Sequence, residues 1–311
     1  MASREFTLHR SWARQATIGF LGATTPSIWS AFVAAFEQRL RELDWINGSN
    51  IAIDYRWAEG RQDRYARFAQ DFVRRNVDVI VTSGTAPAMA AKKATSAIPI
   101  IFAAAGDPVR TKLVASLARP GRNVTGMSNG QTDLAVERLD QLRKVVPGLR
   151  RLAIMGNRGS RNIPLEMDRI QRRARSLRIE TVICDVRRAA QIAPAIKRLQ
   201  GQADALFVCT DPLMTTNQIA INTSAASVKL PTMHAFRDYT ETGGLMSYGP
   251  DFRIMFERAA ELVDKILRGT PAADLPVELQ KKHELVINQN TANALGLRIP
   301  KGVRARAKVI R

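Results

Sequence analysis

The chain has 311 residues, enough for two domains of ordinary size, and 45% of them are hydrophobic, which is typical of globular proteins rather than disordered ones. No apolar run reaches the roughly 18 to 20 residues that a helix needs to span a bilayer. Lysine and arginine outnumber aspartate and glutamate by 47 to 28, but the excess is spread over predicted helix faces and aromatic residues make up only 6%, which disfavours a nucleic-acid groove.

Apolar strands alternate with amphipathic helices in the first half of the chain, a pattern typical of βα units and a parallel sheet. Strands are predicted at 16–22, 50–58, 77–84, 98–108 and 123–130. Two helices are predicted at about 28–43 and 63–75. A third helix is predicted after the third strand, and a short fourth one between the fourth strand and the stop signal ARPGRN.

The same pattern restarts near residue 150. Strands are predicted at 150–157, 179–186, 203–211, 230–236 and 243–249, and helices at about 164–177, 189–199 and 251–269. An extended crossing, a last strand and a short cap helix complete the chain. The order DVIVTSGTAP…IPIIFAAAGD in the first half matches ALFVCTDPLM…LPTMHAFRD in the second, which predicts two βαβ domains in tandem.

The turns that follow these strands are rich in hydroxyls, amides and single carboxylates. Parallel sheets bind ligands beyond the carboxyl ends of their strands, so two such domains would place these turns across one cleft. The turns contain no pairing of nucleophile and base, no metal-ligand spacing and no dinucleotide fingerprint, which favours binding without chemistry and predicts no cofactor or metal. The candidate ligand-binding residues in the turns are Ala23, Thr24, Ser83, Gly84, Thr85, Asp107, Pro108, Ser128, Asn129, Asn157 and Asp211.

Several long segments together resemble the ABC-transporter substrate-binding proteins of bacteria. The resemblance extends from about residue 16 to 309 and rests on IDYRWAEGRQDRY, VDVIVTSGT, LARPGRNVTG, TETGGLMSYGPD and ADLPVELQKKHELVIN. It implies an α/β fold of the type I periplasmic-binding-protein kind: two doubly wound parallel-sheet domains joined by three hinge crossings that close on a ligand.

By this resemblance the crossings are expected near Gly126, near Gly249 and Pro250, and between residues 276 and 280. The predicted divisions are a tail at 1–15, an N-terminal lobe at 16–125 plus 250–276, and a C-terminal lobe at 126–249 plus 277–311.

The resemblance also suggests roles for individual residues. Ser83, Gly84 and Thr85 would hold a ligand carboxylate at a helix N-terminus. Asp107 and Asp211 would each either accept a ligand ammonium or cap a helix.

Three aromatic residues are expected to stack on the apolar body of the ligand. They are Trp29, Phe236 and Tyr248, and for Trp29 packing on its own helix is the alternative. His234 is either a core residue or a ligand contact.

The predicted function is that of a solute receptor for an ABC importer. It would be a periplasmic monomer that binds a small polar or aromatic molecule, amino-acid-like or otherwise carrying a carboxylate, and then contacts a membrane permease, with no nucleic-acid partner. Residues 1–15 resemble the two flanks of an export signal whose hydrophobic middle is absent or removed, so the periplasmic location rests on the resemblance.

Two other functions use similar folds. An isomerase or racemase acting in the same cleft often needs paired cysteines at strand ends, whereas Cys209 has Thr82 as its counterpart in the first half. A ligand-sensing repressor needs an N-terminal helix-turn-helix of about 50 to 60 residues, and only 15 precede the first strand. Cys184 and Cys209 are interpreted as buried thiols rather than a disulfide.

Overall fold

A computed structural model, which describes residues 15–311, shows two α/β lobes with one sheet each. The predicted tail falls almost entirely outside these residues. The strands are β1 (Ala16–Gly22), β2 (Ile51–Trp57), β3 (Val79–Thr82), β4 (Ile100–Ala105), β5 (Val124–Ser128), β6 (Arg151–Gly156), β7 (Glu180–Asp185), β8 (Ala205–Val208), β9 (Thr232–His234), β10 (Met246–Pro250), β11 (Glu278–Leu279), β12 (His283–Asn288) and β13 (Lys308–Ile310).

Helices cover both faces of the sheets. They are α1 (Pro26–Glu42), α2 (Gln62–Arg74), α3 (Thr85–Ala94), α4 (Gln131–Val145), α5 (Ile163–Ser176), α6 (Ile192–Arg198), α7 (Pro212–Thr216), α8 (Gln218–Ser227), α9 (Arg237–Glu241), α10 (Phe252–Leu267), α11 (Gln289–Ala294) and α12 (Lys301–Arg304).

The first sheet has the order β11-β5-β4-β3-β1-β2 and is parallel throughout. The second has the order β13-β12-β10-β9-β8-β6-β7, and only the β10–β12 pair is antiparallel. The prediction of two doubly wound parallel-sheet domains is confirmed. Because the strands of the βα units are parallel, all their strand-to-helix turns lie at one edge of each sheet.

The segment after β4 differs from its prediction. The short helix expected there is wrong, because residues 108–112 form turns and residues 113–118 are irregular chain with bends. Asp107 and Lys112 adopt left-handed backbone angles, with φ of 46° and 61°, which a right-handed helix cannot contain. Helix α4, in turn, was not predicted.

The core of the first lobe depends on a helix from late in the chain. Phe256 of α10 packs against Phe20, Trp29 and Phe32, with ring centroids 6.4, 5.6 and 5.6 Å apart. Phe252, one turn earlier, lies 5.6 Å from Phe32. Helix α10 therefore completes the first lobe after the chain has passed through most of the second.

The chain crosses between the lobes after β5, after β10 and after β11. Two of the predicted boundaries differ slightly from the sheet pairing, because hydrogen bonding in the first sheet continues to Ser128 and to Leu279. Gly126 lies in β5 with φ 148°, and a Cβ there would come 2.1 Å from the carbonyl oxygen of Phe102. The approach of β5 to β4 therefore requires glycine at this position.

Candidate ligand-binding site

A cavity of about 580 Å³, its open mouth included, lies between the lobes where the strands of both sheets end. From the first lobe it is lined by Trp29, Phe32, Ser83, Gly84, Thr85, Ala86, Ala104, Gly106 and Phe252. From the first crossing and the second lobe it is lined by Asn129, Gln131, Ser160, Asn162, Thr210, Asp211, Pro212, Thr215, Phe236 and Asp238.

The structure brings half of the predicted ligand-binding residues to this cavity. Those that line it are Trp29, Ser83, Gly84, Thr85, Asn129, Asp211 and Phe236. Those placed outside its wall are Ala23, Thr24, Asp107, Pro108, Ser128, Asn157 and Tyr248. Contact with a ligand stays a prediction for every one of them.

Three of the residues outside the wall form hydrogen bonds within the protein. Asp107 accepts a hydrogen bond from the hydroxyl of Thr132 at the start of α4. The Asn157 side chain accepts one from the amide of Gly159 at 3.0 Å. The Tyr248 hydroxyl donates to Glu137 at 2.8 Å, on the outside of the second lobe. A polar residue at a strand end can thus hold its own turn instead of facing the cleft.

The turn between β3 and α3 presents neutral hydrogen-bond donors to the cavity. The side-chain hydroxyl of Thr85 accepts from the amide of Gly106 at 3.1 Å and donates to its carbonyl at 3.0 Å, so it ties two turns together. Gly84 precedes α3 and offers no side-chain cap, and within residues 15–311 the amides of Thr85 and Ala86 have no acceptor. The Ser83 hydroxyl also has no protein partner in that part of the chain. This end of α3 suits an anionic group.

Aromatic rings form the apolar part of the wall. Phe32 and Phe252 of the first lobe have centroids 5.6 Å apart, and Phe236 of the second lobe meets Phe252 edge to face at 4.0 Å. Trp29 lines the cavity and also packs edge-on against Phe256 of α10, which is a neighbouring helix and not its own; its contact with a ligand stays a prediction. Sequence patterns did not indicate Phe32 or Phe252, which lie on helices rather than in turns.

Two carboxylates face the cavity from the second lobe. Asp211 accepts from the amide of Leu213 at 2.8 Å, so it caps α7, and its other oxygen accepts from the hydroxyl of Ser160. Burial raises the pKa of Asp211 to about 6. The side chain of Asp238 has no hydrogen-bond or ion-pair partner among the described residues. Burial, together with the neighbouring Glu241 and Asp251, raises the pKa of Asp238 to about 7. Asp238 is available to a cationic group of a ligand.

A buried ion pair supports the cavity from behind. Arg138 and Glu166 are fully buried and lie 3.1 Å apart. Arg138 also donates to the carbonyl oxygens of Tyr248 at 2.8 Å and Gln131 at 3.3 Å, while Glu166 accepts from the amide of Thr210 at 3.1 Å and from the side chain of Gln131. Burial raises the pKa of Glu166, and the charge of Arg138 opposes that shift. The pair therefore fixes Gln131 and Thr210, two residues of the cavity wall.

Hydrogen bonds join the lobes along the seam beside the cavity. Gln62 of α2 donates to the hydroxyl of Ser160 at 2.9 Å, and this hydroxyl donates to Asp211. Arg161 donates to the carbonyl of Thr111 at 3.1 Å. The Gln62–Ser160 bond links closure of the lobes to a residue that lines the cavity.

The remaining candidates lie away from the cavity. His234 is fully buried, stacks on Tyr239 at 4.7 Å, and has a pKa lowered by burial to about 3, so it is a neutral core residue. Cys184 and Cys209 are free and buried, as interpreted from the sequence, and burial raises the pKa of both thiols.

Two doubly wound lobes that face each other over a ligand cavity define the type I periplasmic-binding-protein fold. Residues 26–310 match the family model described as ABC transporter substrate binding protein, and the chain belongs to that family. Among residues 15–311, no helix combines the length and apolar character needed to cross a membrane.

Three relatives illustrate the family. A tyrosine-binding protein of Clostridioides difficile (strain R20291) is 29% identical over 263 residues, which cover 84% of this chain and 75% of the relative. The ABC domain from Streptococcus pneumoniae in complex with L-Trp is 25% identical with a TM-score of 0.89, covering 95% of this chain and all of that one. The ligand-free, open structure of a substrate binding protein with adhesive properties from Clostridium difficile is also 25% identical, with a TM-score of 0.67 and coverages of 95% and 99%.

The last two comparisons bear on the arrangement of the lobes. At equal sequence identity, this chain superposes better on the complex with L-Trp than on the ligand-free, open structure. In this chain, hydrogen bonds along the seam hold the two lobes in contact.

Proposed function

We propose that this protein is the solute receptor of an ABC importer and that it captures an aromatic amino acid by closing its lobes. One observation carries the proposal: across one cavity, an uncapped helix N-terminus faces an unpaired carboxylate, with aromatic rings beside them. An amino acid carries the matching anion, cation and apolar body. The tyrosine-binding relative and the relative in complex with L-Trp support this ligand class.

In the proposed complex the ligand carboxylate lies at the start of α3, where Ser83 and the amides of Thr85 and Ala86 donate to it. Its ammonium group lies against Asp238, with Asp211 nearby. The side chain lies among the rings contributed by both lobes. Closure removes these groups from water, which strengthens the charged interactions.

The same proposal includes the site of action. The receptor works outside the cytoplasm as a monomer and presents both lobes to the permease in the membrane. No reaction accompanies binding, because the two cavity carboxylates lie on the same lobe and no facing base is found in the described wall.

The experiment is a thermal-shift screen with the natural amino acids, followed by calorimetry. We expect tyrosine, tryptophan or phenylalanine to raise Tm in a concentration-dependent way, by the equivalent of about 2.7 kcal/mol at a hundredfold excess over Kd. Analogues that lack either the amino or the carboxyl group should bind much more weakly. Mass spectrometry should recover the ligand unchanged. Chemical conversion of the ligand would exclude a pure receptor, and the absence of any amino-acid response would exclude this ligand class.

A further inference from the structure

The positive charge of the chain is divided unequally between the lobes. The first lobe, residues 15–128 and 251–280, contains 18 basic and 15 acidic residues, a net charge of +3. The second lobe, residues 129–250 and 281–311, contains 26 basic and 12 acidic residues, a net charge of +14. A difference of this size gives the two ends of the molecule different electrostatic fields.

Part of this excess lies in one short exposed segment, here called the basic corner. Its five cations are Arg298, Lys301, Arg304, Arg306 and Lys308, and all five are exposed. None of them forms an ion pair with a described residue, and the sequence has no acidic residue after Glu284. Arg304 donates to the side-chain oxygen of Gln289 at 2.8 Å, and Arg306 to the carbonyl of Gly302 at 3.3 Å.

Some arginines elsewhere in the second lobe do have carboxylate partners. On α5, Arg169 lies 2.8 Å from Asp133 and Arg173 lies 2.9 Å from Asp140. The basic corner differs from α5 in that all of its cations, within residues 298–308, lack such a partner among the described residues.

The basic corner lies at the end of the second lobe opposite the cavity. It comprises α12, the residues on either side of it and the start of the edge strand β13, which pairs with β12. Because β12 runs antiparallel to β10, its last residue Asn288 lies beside the beginning of β10, whereas the cavity lies where the parallel strands end. A large partner bound there would leave the ligand cavity and the closing motion free.

We propose that the basic corner binds the surface of an anionic phospholipid bilayer. Exposed, unpaired cations on an edge strand and a short helix match the diffuse negative charge of a headgroup layer. The segment after Glu284 contains no aromatic residue, so it lacks the stacking platform that single-stranded nucleic acids require. This contact would concentrate the receptor at the membrane, and it is independent of which solute the cavity holds.

The test is sedimentation of the described protein with vesicles of equal parts phosphatidylglycerol and phosphatidylcholine, compared with vesicles of phosphatidylcholine alone. We expect the protein to bind to the anionic vesicles only. The bound fraction should fall at least fivefold when NaCl is raised from 0.05 to 0.3 M, because salt screens contacts between exposed charges, whose range shortens about threefold per tenfold increase in salt. Absence of binding to anionic vesicles would overturn the proposal.

A matched pair of variants locates the surface. In the corner variant the five cations of the basic corner are replaced by glutamine. In the control variant five exposed cations of the first lobe without a described carboxylate partner are replaced in the same way: Arg67, Lys93, Lys112, Arg119 and Arg122.

The corner variant should lose at least tenfold in vesicle partitioning and the control variant less than threefold, with Tm and the affinity for the solute unchanged in both. Equal losses would mean that only net charge matters, and would overturn the proposal. Binding to polyglutamate beads without binding to vesicles would assign the surface to an acidic protein instead, which also overturns it.

Discussion

The two walls of the cavity are built on different physical principles. The wall from the first lobe contains no charged side chain: it offers rings, a serine hydroxyl and the amides at the start of α3. The wall from the second lobe contains Asp211 and Asp238 and is supported by the buried Arg138–Glu166 pair. The first lobe therefore has no charged side chain of its own to desolvate when a ligand binds, and we infer that the charged contacts of the second lobe form on closure.

The largest expected effect comes from the ionic support behind the second wall. Glu166→Ala leaves Arg138 buried without its counter-charge, and we expect the free energy of unfolding to fall by about 3 to 5 kcal/mol, measured by urea denaturation. The control is Asp140→Ala, which breaks the partly exposed pair with Arg173 and should cost about 0 to 1 kcal/mol. If the two variants lost similar amounts of unfolding free energy, the buried Arg138–Glu166 pair would contribute no more to stability than an exposed ion pair.

The next effect concerns the unpaired carboxylate. Asp238→Asn should weaken binding of the amino acid by about 1.5 to 3 kcal/mol in calorimetry, because a hydrogen bond between two charged groups is lost. The variant Glu241→Gln, on the same helix but paired with Arg237 at 2.6 Å, should change affinity little when both proteins are measured well above the Asp238 pKa of about 7, where that carboxylate is ionised in each. An analogue without the amino group should bind the wild type and Asp238→Asn equally. A selective loss for that analogue would place Asp238 elsewhere in the site.

The pH dependence of ligand affinity should distinguish the wall with carboxylates from the wall without charged side chains. Because the pKa of Asp238 is about 7 and that of Asp211 about 6, acidification from pH 7.5 to 5 protonates both, and affinity should fall by up to about tenfold per pH unit below each pKa. Asp238→Asn should flatten this dependence.

The folding stability of the ligand-free protein should depend on pH in the opposite direction, because the raised pKa of Asp238 favours the folded state at low pH. A carboxyl whose pKa is raised by folding stabilises the folded state when protonated, so this contribution is present below about pH 4 and is lost as pH rises through 6 and 7. The measurement is the difference in urea unfolding between the wild type and Asp238→Asn as a function of pH. A difference that does not vary with pH would contradict the raised pKa.

The smallest effect is expected at the seam. Gln62 contacts Ser160 across the lobes but does not line the cavity, so Gln62→Ala should weaken apparent affinity by about 0.5 to 1.5 kcal/mol by destabilising the closed form alone. Stopped-flow measurements should show faster ligand dissociation with little change in association. Gln70→Ala, on the same helix and without an interlobe hydrogen bond in the described chain, is the control. Equal dissociation rates in the two variants would argue against a closing role for Gln62.

Sequence reasoning worked best where the information is local. β1 was predicted at the residues where it is found, and Ser83 and Asp211 were identified because strand-to-helix turns in parallel sheets meet at a cleft. Thr85 was identified too, but its hydroxyl bonds to Gly106, a contact 21 residues away that no local pattern reveals.

The residues that were missed depend on tertiary structure. Asp238 lies in a five-residue helix after the strand end, and Phe252 reaches the cavity only because α10 returns to the first lobe. Arg138 was missed because arginine in a helix usually lies on a solvated face. The sequence did contain one signal. Arg138 is four residues from both Leu134 and Leu142, so the three side chains share one helix face, and that face is buried.

The late arrival of α10 has a consequence for biosynthesis. When the ribosome has made the first 250 residues, Phe20, Trp29 and Phe32 still lack the Phe256 ring that packs against them. We therefore expect the nascent first lobe to expose apolar surface until translation is nearly finished. A truncated polypeptide ending at residue 250 should bind a hydrophobic dye more strongly than one ending at residue 280, because both lack β12 and β13 but only the shorter one lacks α10. The first lobe can therefore complete its core only late in synthesis, once α10 has been made.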